Sequence, residues 1–242
     1  MIKSNGETPM QKVPYKVYHW GPCLARLKVD KKISDMLEEE IIYSQKDFSK
    51  NLAGNLRKEI AYTEDSRKRI AKTLSPYFKI YLKLLSSYTQ DFDKKKKPEE
   101  INLSLEQAWC NYQYAGDYNP PHKHDGRFSF VIYLRIDHAL VHENKNFKGT
   151  SAGPGGITFS YGDGHTDNIT HLDFFPEAYD MFIFPAWLTH FAHPYKHPNI
   201  VRTSVSGNVY DSVSRAHIEK SKGKNIILTD TLIHSSDANE SN

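Results

Sequence analysis

The segment "NPPHKHDGRFSFVIYL" (residues 119–134) contains three side chains that can bind a metal, where a loop meets a run of β-forming residues. His122 and His124 are two positions apart, so both imidazoles project from the same side of an extended chain. Asp125 faces the other way in a regular strand, although a loop can turn it inward. Two imidazoles and one carboxylate with open positions suit non-haem iron(II). The segment indicates either a metal site or a polar loop.

A third ligand has to come from elsewhere, and "FIFPAWLTHFAHPY" offers one. His190 follows the strand-like run "MFIFP" and a short turn. His193 comes three residues later, so in a strand it would point to the opposite face. The chain has 12 histidines, and two of them close together signify little. His190 therefore fits both a metal ligand and an ordinary histidine at the end of a strand.

The segment "IVRTSVSGNVY" alternates between an apolar set and a polar set that begins with Arg202. One interpretation is a half-exposed strand whose polar face lies in water. In the other, the polar face lines a cavity. A buried arginine keeps its charge and needs a partner, for which a carboxylate held by two hydrogen bonds is the natural choice. An iron site with an arginine at its rim implies an acid co-substrate that spans the two.

The elements that must position these residues change character near residue 101. Residues 31–45 and 64–88 have apolar side chains at helical spacing, which predicts two amphipathic helices. The chain beyond residue 101 consists of short segments rich in aromatic and β-branched residues, separated by Gly, Pro, Asn and Asp, which predicts strands. We expect a mainly β barrel or sandwich braced by N-terminal α-helices.

We expect one domain made of three segments. These are an N-terminal helical bracing segment (1–100), a β core (101–212) and a C-terminal extension (213–242). Within the core, the glycine-rich stretch 149–156 is predicted to be a mobile loop, and with residues 161–171 it could cover the mouth of the barrel.

The composition narrows the functional classes. Hydrophobic residues make up 38% of the chain, enough for a core. The formal net charge is +3, and the basic residues are interleaved with acids, so we expect no nucleic-acid partner. No apolar run approaches the ~20 residues of a membrane span, so no membrane partner is expected. Cys23 and Cys110 are the two cysteines, and no signal-like start is present, which favours the cytoplasm.

Taken in order, these segments resemble the 2-oxoglutarate and Fe(II)-dependent oxygenases of the prolyl-hydroxylase-like type found in bacteria and phages. "YAGDYNPPHKH" is similar to that family's Y-x-G…P-H-x-H or P-H-x-D segment, and "SFVIYL" to the strand that follows it. "DMFIFPAWLTHFAHPY…RTSVSGN" is similar to its F-P-x-W-L-x-H…P-Y…R-x-S ending. The resemblance covers residues 105–210, and "KNLAGNL" (50–56) is also similar to an N-terminal element of the phage branch.

The resemblance implies a double-stranded β-helix, a jelly-roll barrel with iron at one mouth. It also implies Fe(II), 2-oxoglutarate and O₂, and leaves room for ascorbate. In that arrangement His122 and His190 are metal ligands, and Arg202 with Ser204 binds the far carboxylate of 2-oxoglutarate. Tyr133 and Tyr114 match tyrosines that help to hold the co-substrate.

This chain departs from the family pattern at one position, because the second ligand is usually a carboxylate and here His124 stands in its place. Three alternatives remain: a three-histidine site, a twisted loop that brings Asp125 to the metal, or a position without a protein ligand. A three-histidine site would leave Fe(II) with its full charge and change how it holds the dianionic co-substrate.

The resemblance implies hydroxylation of an unactivated C–H bond, with succinate and CO₂ as co-products. The expected substrate is a peptidyl proline, a similar residue of a peptide or protein, or a small molecule. Two other classes fit the residues less completely. One is a non-catalytic β-barrel binding module, and the other is a cupin-like three-histidine metalloenzyme that does not use 2-oxoglutarate, for which Arg202 would have no role.

Overall fold

The computed structural model describes residues 21–44, 46–92, 102–164, 169–216 and 232–233. The helices are α1 (Lys31–Ile42), α2 (Glu64–Phe92) and α3 (His138–Lys145). The strands are β1 (Ala25–Lys28), β2 (Lys46–Asp47), β3 (Lys58–Ala61), β4 (Leu103–Gln113), β5 (Asn119–His122), β6 (Phe128–Arg135), β7 (Ile157–Ser160), β8 (His171–Phe174), β9 (Asp180–Pro185), β10 (Thr189–Ala192), β11 (Arg202–Tyr210) and β12 (Leu232–Ile233). Most of the predicted C-terminal extension, and part of the 161–171 segment, lie outside the described residues.

The strands form two antiparallel sheets. The larger sheet has the order β1-β9-β6-β11-β4-β3-β2, with β12 also paired to β4, and the smaller has the order β5-β10-β7-β8. From β4 to β11 the chain passes back and forth between the two sheets, with β7 and β8 as the one consecutive pair in the same sheet, as in a double-stranded β-helix. The predicted mainly β fold with a double-stranded β-helix core is therefore confirmed.

The two predicted N-terminal helices are confirmed as α1 and α2 and cover the outer face of the larger sheet. Leu74 and Phe78 of α2 belong to the same buried cluster as Phe128 and Phe130 of β6. Helix α2 continues through Pro76, although proline removes one helical hydrogen bond. Although α2 has 29 residues, no helix in the described segments is both long and apolar enough to cross a membrane.

The space between the two sheets holds a second core. Because side chains alternate along a strand, β6 sends Phe128 and Phe130 to the helices, and Val131 and Tyr133 to the interior, where they join a cluster with Phe159. Seven of the eight β6 residues are buried, since both faces are covered. This second core forms the apolar wall beside which the polar side chains of β11 lie.

Replacing Phe78 by Ala should lower the free energy of unfolding by about 3–5 kcal/mol, because a buried aromatic ring is lost and a cavity remains. The Phe78 ring is fully buried and lies 5.5 Å, between ring centroids, from each of Phe128 and Phe130. Urea unfolding of the purified protein measures the change. Ile80→Ala, at an exposed position of the same helix, is the control and should change stability by about 0.5 kcal/mol or less. Equal effects of the two substitutions would contradict this packing.

Candidate metal centre

Three histidines converge at one end of the barrel. His122 on β5 and His190 on β10 are directly opposite each other in the ladder of the smaller sheet. Residues opposite each other in an antiparallel pair project from the same face, so this pairing brings the two rings together. Ring centroids are 4.3 Å apart for His122 and His190, and about 5 Å apart for the pairs with His124. One ring nitrogen from each residue lies within 4.8 Å of the others.

Backbone carbonyls orient two of the rings. Nδ1 of His122 is 2.7 Å from the carbonyl oxygen of Pro120, and Nδ1 of His190 is 2.9 Å from that of Leu188. A carbonyl accepts hydrogen bonds only, so each Nδ1 has to be the protonated nitrogen. The lone pair is then on Nε2, which is the arrangement that protein metal sites use to fix an imidazole ligand.

Burial keeps the three imidazoles neutral. The pKa of His124 is lowered to about 3, first by burial and then by the nearby His122. Burial also lowers the pKa of His122, and it takes the pKa of His190 well below its usual range. Neutral imidazole is the form that binds a metal ion, so the cluster needs no deprotonation at neutral pH to act as a ligand set.

The structure places His124 and Asp125, the two candidates for the second metal ligand, in different surroundings. The His124 ring lies in the cluster, and the backbone N–H of His124 donates to the carbonyl of Ala186, the residue after β9, over 2.9 Å. Asp125 is exposed and is not among the clustered groups found in the described residues. The geometry thus favours three imidazoles over a carboxylate supplied by Asp125.

The histidines share one cavity with Arg202, the first residue of β11. The cavity lies between the sheets and is lined by both the cluster and Arg202. Arg202 is 5% exposed, and none of the described carboxylates forms an ion pair with it. Its Nε is buried without a hydrogen-bond partner. Burial lowers the pKa of Arg202, yet guanidinium stays protonated in proteins, so a cation without a counter-ion faces this cavity.

The loop 149–156 helps to position Arg202. A guanidinium NH donates to the carbonyl of Gly155, and Gly153, Gly155 and Gly156 are buried. Gly155 has φ +70°, and a Cβ there would lie 2.8 Å from the Leu140 side chain, so glycine is required on both counts. The sequence suggested a mobile loop, whereas this end of it packs against the arginine.

The remaining predicted residues divide into two groups. Tyr133 and Ser204 line the cavity, and the guanidinium carbon of Arg202 is 5.1 Å from the centroid of the Tyr133 ring. Tyr114 is not among the residues that line this cavity. Its ring lies instead 5.2 Å from the guanidinium carbon of Arg57, at the turn after β4. The structure therefore does not bring Tyr114 to the expected position.

Strand β4 adds cavity residues that sequence reasoning missed. Trp109, Asn111 and Gln113 line the cavity, whereas Cys110, between them, faces the helices. Asn111 donates to the hydroxyl groups of Ser204 and Ser206 at 3.4 and 3.1 Å. Two amides at alternate positions of a strand with an apolar opposite face are the signal that could have identified this polar row.

These residues fit an Fe(II) ion with a dicarboxylate co-substrate, because neutral imidazoles and an unpaired buried guanidinium face one cavity. Residues 107–208 match a family model described as putative 2OG-Fe(II) oxygenase. Residues 107–208 of this chain are therefore similar to the 2OG-Fe(II) oxygenases. The family implies Fe(II), 2-oxoglutarate and O₂, as expected from the sequence. No curated protein sequence matches the chain.

Solved oxygenase structures are similar to this one at low sequence identity. A Trichoplax adhaerens prolyl hydroxylase in complex with a hypoxia inducible factor peptide fragment is 13% identical, with a TM-score of 0.46 over 81% of this chain and 86% of the other. A Pseudomonas putida prolyl-4-hydroxylase is 11% identical, with a TM-score of 0.42 over 76% and 90%. A Burkholderia pseudomallei 2OG-Fe(II) oxygenase is 14% identical, with a TM-score of 0.32 over 51% of this chain; the match spans 50% of that protein.

Metal affinity should depend weakly on pH between 7.5 and 6.0. Three imidazoles with an unperturbed pKa near 6.5 would lose about 50-fold in affinity over this range, because each must shed a proton. With the pKa of all three lowered, we expect a loss of less than about tenfold. Calorimetric titration of the metal-free protein with Co(II) measures it.

Variants show whether the cluster is the metal site. His190→Ala should weaken Co(II) binding at least tenfold, whereas His142→Ala, at an exposed position of α3, should leave it unchanged. A steep loss of affinity on acidification, or equal affinities of the two variants, would contradict the site described.

Proposed function

We propose that this protein is a 2-oxoglutarate- and Fe(II)-dependent dioxygenase that hydroxylates an unactivated C–H bond. The proposed substrate is a peptidyl proline, a similar residue of a peptide or protein, or a small molecule. The observation that supports the proposal most strongly is the shared cavity. It has three neutral imidazoles within 4.8 Å of one another and, in its wall, a buried guanidinium that pairs with none of the described carboxylates.

His122, His124 and His190 would hold the metal through ring nitrogens. When bound, Fe(II) with 2-oxoglutarate and O₂ supplies oxidising power for C–H hydroxylation, and succinate and CO₂ are the co-products. The hydrogen bonds from Nδ1 of His122 and His190 to backbone carbonyls keep the lone pairs directed at the ion. The site therefore needs no rearrangement of these two rings to bind it.

Arg202 would bind the far carboxylate of 2-oxoglutarate. Its planar fork offers two parallel N–H donors, and its free Nε supplies one donor that no described protein group accepts. Ser204 lies directly opposite Tyr133 in the β11–β6 ladder, so both side chains project into the cavity beside the arginine. Their hydroxyl groups are the proposed additional partners of the same carboxylate.

The walls of the cavity would exclude water from the reacting centre. Phe184 packs against the His190 ring with centroids 4.6 Å apart, and Val131 and Ile157 add apolar lining. In such surroundings, hydrogen bonds from Arg202 to a carboxylate are stronger than in water. The chain thus contributes orientation and a low-dielectric wall, while the chemistry belongs to the cofactors.

Arg202 also separates this proposal from its alternatives. A cupin-like three-histidine enzyme without 2-oxoglutarate has no use for a buried, unpaired guanidinium. A purely structural barrel would gain from an apolar residue at this position, since an uncompensated buried charge is costly. Both alternatives therefore leave the buried guanidinium of Arg202, which lowers the stability of the fold, without a function.

The proposal is tested by 2-oxoglutarate turnover in the purified full chain with Fe(II), ascorbate and air. Succinate should form slowly without added substrate and faster with the right one, and a search for a +16 Da product among candidate peptides identifies it. If succinate formation stays at the level of a metal-free control with every candidate, the oxygenase proposal fails.

Arg202→Lys should raise the KM for 2-oxoglutarate at least tenfold while changing the melting temperature little. Lysine keeps the charge but replaces the planar fork with a single ammonium group, so the paired hydrogen bonds are lost. Succinate formation at increasing 2-oxoglutarate measures the KM. The matched control is Arg135→Lys, whose guanidinium pairs with Glu38 at the surface and which should leave the KM unchanged. An unchanged KM in Arg202→Lys would contradict the assigned role.

A further inference from the structure

A second pocket opens beside the histidine cluster. Its volume is about 430 Å³, and it shares His122, His124 and Trp109 with the cavity that contains Arg202. Its other lining residues include Phe48 and Glu59 from the N-terminal part of the chain. We call this the mouth pocket. A group bound here lies next to two of the three proposed metal ligands, which is where a substrate must be placed.

The side chain of Glu59 is buried in the wall of the mouth pocket, where no described residue forms a hydrogen bond with its carboxyl group. Its residue exposure is 1%, and neither carboxylate oxygen has a hydrogen-bond partner among the described residues. Strand β3 pairs with β4 so that Glu59 is directly opposite Asn111, which lines the Arg202 cavity. Opposite residues share a face, so the Glu59 side chain lies on the barrel-interior side of the sheet.

Glu59 differs from the other buried carboxylates of the described chain. Each of the others forms a salt bridge with an arginine, at distances of 2.9 Å or less: Glu40 with Arg69, Asp117 with Arg57, Asp180 with Arg26, and Asp211 with Arg127. A buried carboxyl group without hydrogen bonds costs several kcal/mol in general. Glu59 is therefore the carboxylate for which the described chain supplies no cation.

The two basic side chains that directly precede Glu59 in the chain are already engaged. Arg57 pairs with Asp117, and the ammonium group of Lys58 lies over the Tyr112 ring, 4.6 Å from its centroid. Burial, followed by the charges of Asp47 and Asp117, raises the pKa of Glu59 to about 8. A cation bound in the pocket would favour the ionised form of Glu59 and offset the free-energy cost of burying its carboxylate.

The rest of the mouth pocket also suits a cation. The Trp109 and Phe48 rings lie 5.9 Å apart between centroids, and Trp109 is 5.7 Å from the His124 ring. Aromatic faces attract ammonium and guanidinium groups. The ionisable lining residues besides the histidines are Glu59, Asp125 and Lys123, so acidic groups outnumber basic ones. An aromatic wall thus connects the unpaired carboxylate to the metal cluster.

We infer that the substrate has a cationic nitrogen, an ammonium or guanidinium group, which pairs with Glu59 while its carbon chain lies along Trp109 towards His122 and His124. The inference rests on the proposed oxygenase function and narrows its substrate class to a basic amino acid, free or within a peptide. Glu59 is then a specificity-determining residue, and the C–H bond to be hydroxylated belongs to the same molecule.

Binding of small probes tests the inference before any substrate is known. The full chain, loaded with Co(II) and 2-oxoglutarate, is titrated by calorimetry with n-butylammonium, methylguanidinium and the neutral n-butanol. Both cations should bind at millimolar concentration or below, and n-butanol at least tenfold more weakly. If neither cation binds, or if n-butanol binds equally well, the inference is wrong.

Substitutions show whether Glu59 is responsible. Glu59→Gln, which keeps the shape and removes the charge, should weaken binding of the cations at least tenfold, whereas Glu59→Asp should retain part of the affinity. The control is Glu38→Gln, which removes a carboxylate of the surface pair with Arg135 and should change nothing. Equal binding by the wild type and Glu59→Gln would overturn the inference. If Glu59→Gln does not fold, Glu59→Asp is the test. Cation affinity in Glu59→Asp equal to that of the wild type would contradict the pairing of the cation with Glu59.

Separate readouts distinguish this inference from the proposed function. Cation binding that depends on Glu59, in a protein without 2-oxoglutarate turnover, would retain the pocket and reject the oxygenase. Turnover stimulated equally by peptides that contain lysine and by matched peptides with neutral norleucine would retain the oxygenase and reject the cationic substrate. Comparison of those peptides with free L-lysine and L-arginine then shows which form of the basic group is used.

Discussion

The site depends on the antiparallel pairing of β5 with β10, which places His122 opposite His190. That one register brings together ring nitrogens separated by 68 positions of the chain, and the backbone carbonyls of Pro120 and Leu188 then orient both rings. A shift by one residue would turn one of the imidazoles to the other face of the sheet. Burial between the sheets completes the arrangement, because it holds the imidazoles neutral and leaves their lone pairs available.

In the larger sheet, too, the register of the strands positions the polar residues of the site. Its ladders place Glu59, Asn111, Ser204 and Tyr133 opposite one another in a row across β3, β4, β11 and β6. The opposite faces of these strands bury apolar side chains under α1 and α2. The helices therefore stabilise the sheet from outside, while its inner face remains free for charged and polar residues that a core would not otherwise tolerate.

The strands and part of the cavity lining could be predicted from local sequence patterns. Features that depend on turns or on the pairing of distant strands could not. The alternation of β11 and the spacing of His122 and His124 are properties of single strands, so cavity lining could be anticipated. Tyr114 was misplaced because its direction is determined by a turn after β4. Glu59 was overlooked because its isolation depends on the pairing of β3 with β4 and on the ion pair of Arg57 with Asp117, neither of which appears in the local sequence.

Position 124 carries a histidine where the family pattern has a carboxylate. The set of ligands around the bound metal is therefore the feature that tests the proposed site most sharply. X-ray absorption spectroscopy of the Fe(II)-loaded full chain should show three imidazole nitrogens at about 2.0–2.3 Å. Addition of 2-oxoglutarate should add oxygen ligands to the wild type while all three imidazoles remain. A spectrum with two imidazoles or fewer, or one that 2-oxoglutarate leaves unchanged, would contradict a three-histidine iron site that binds 2-oxoglutarate.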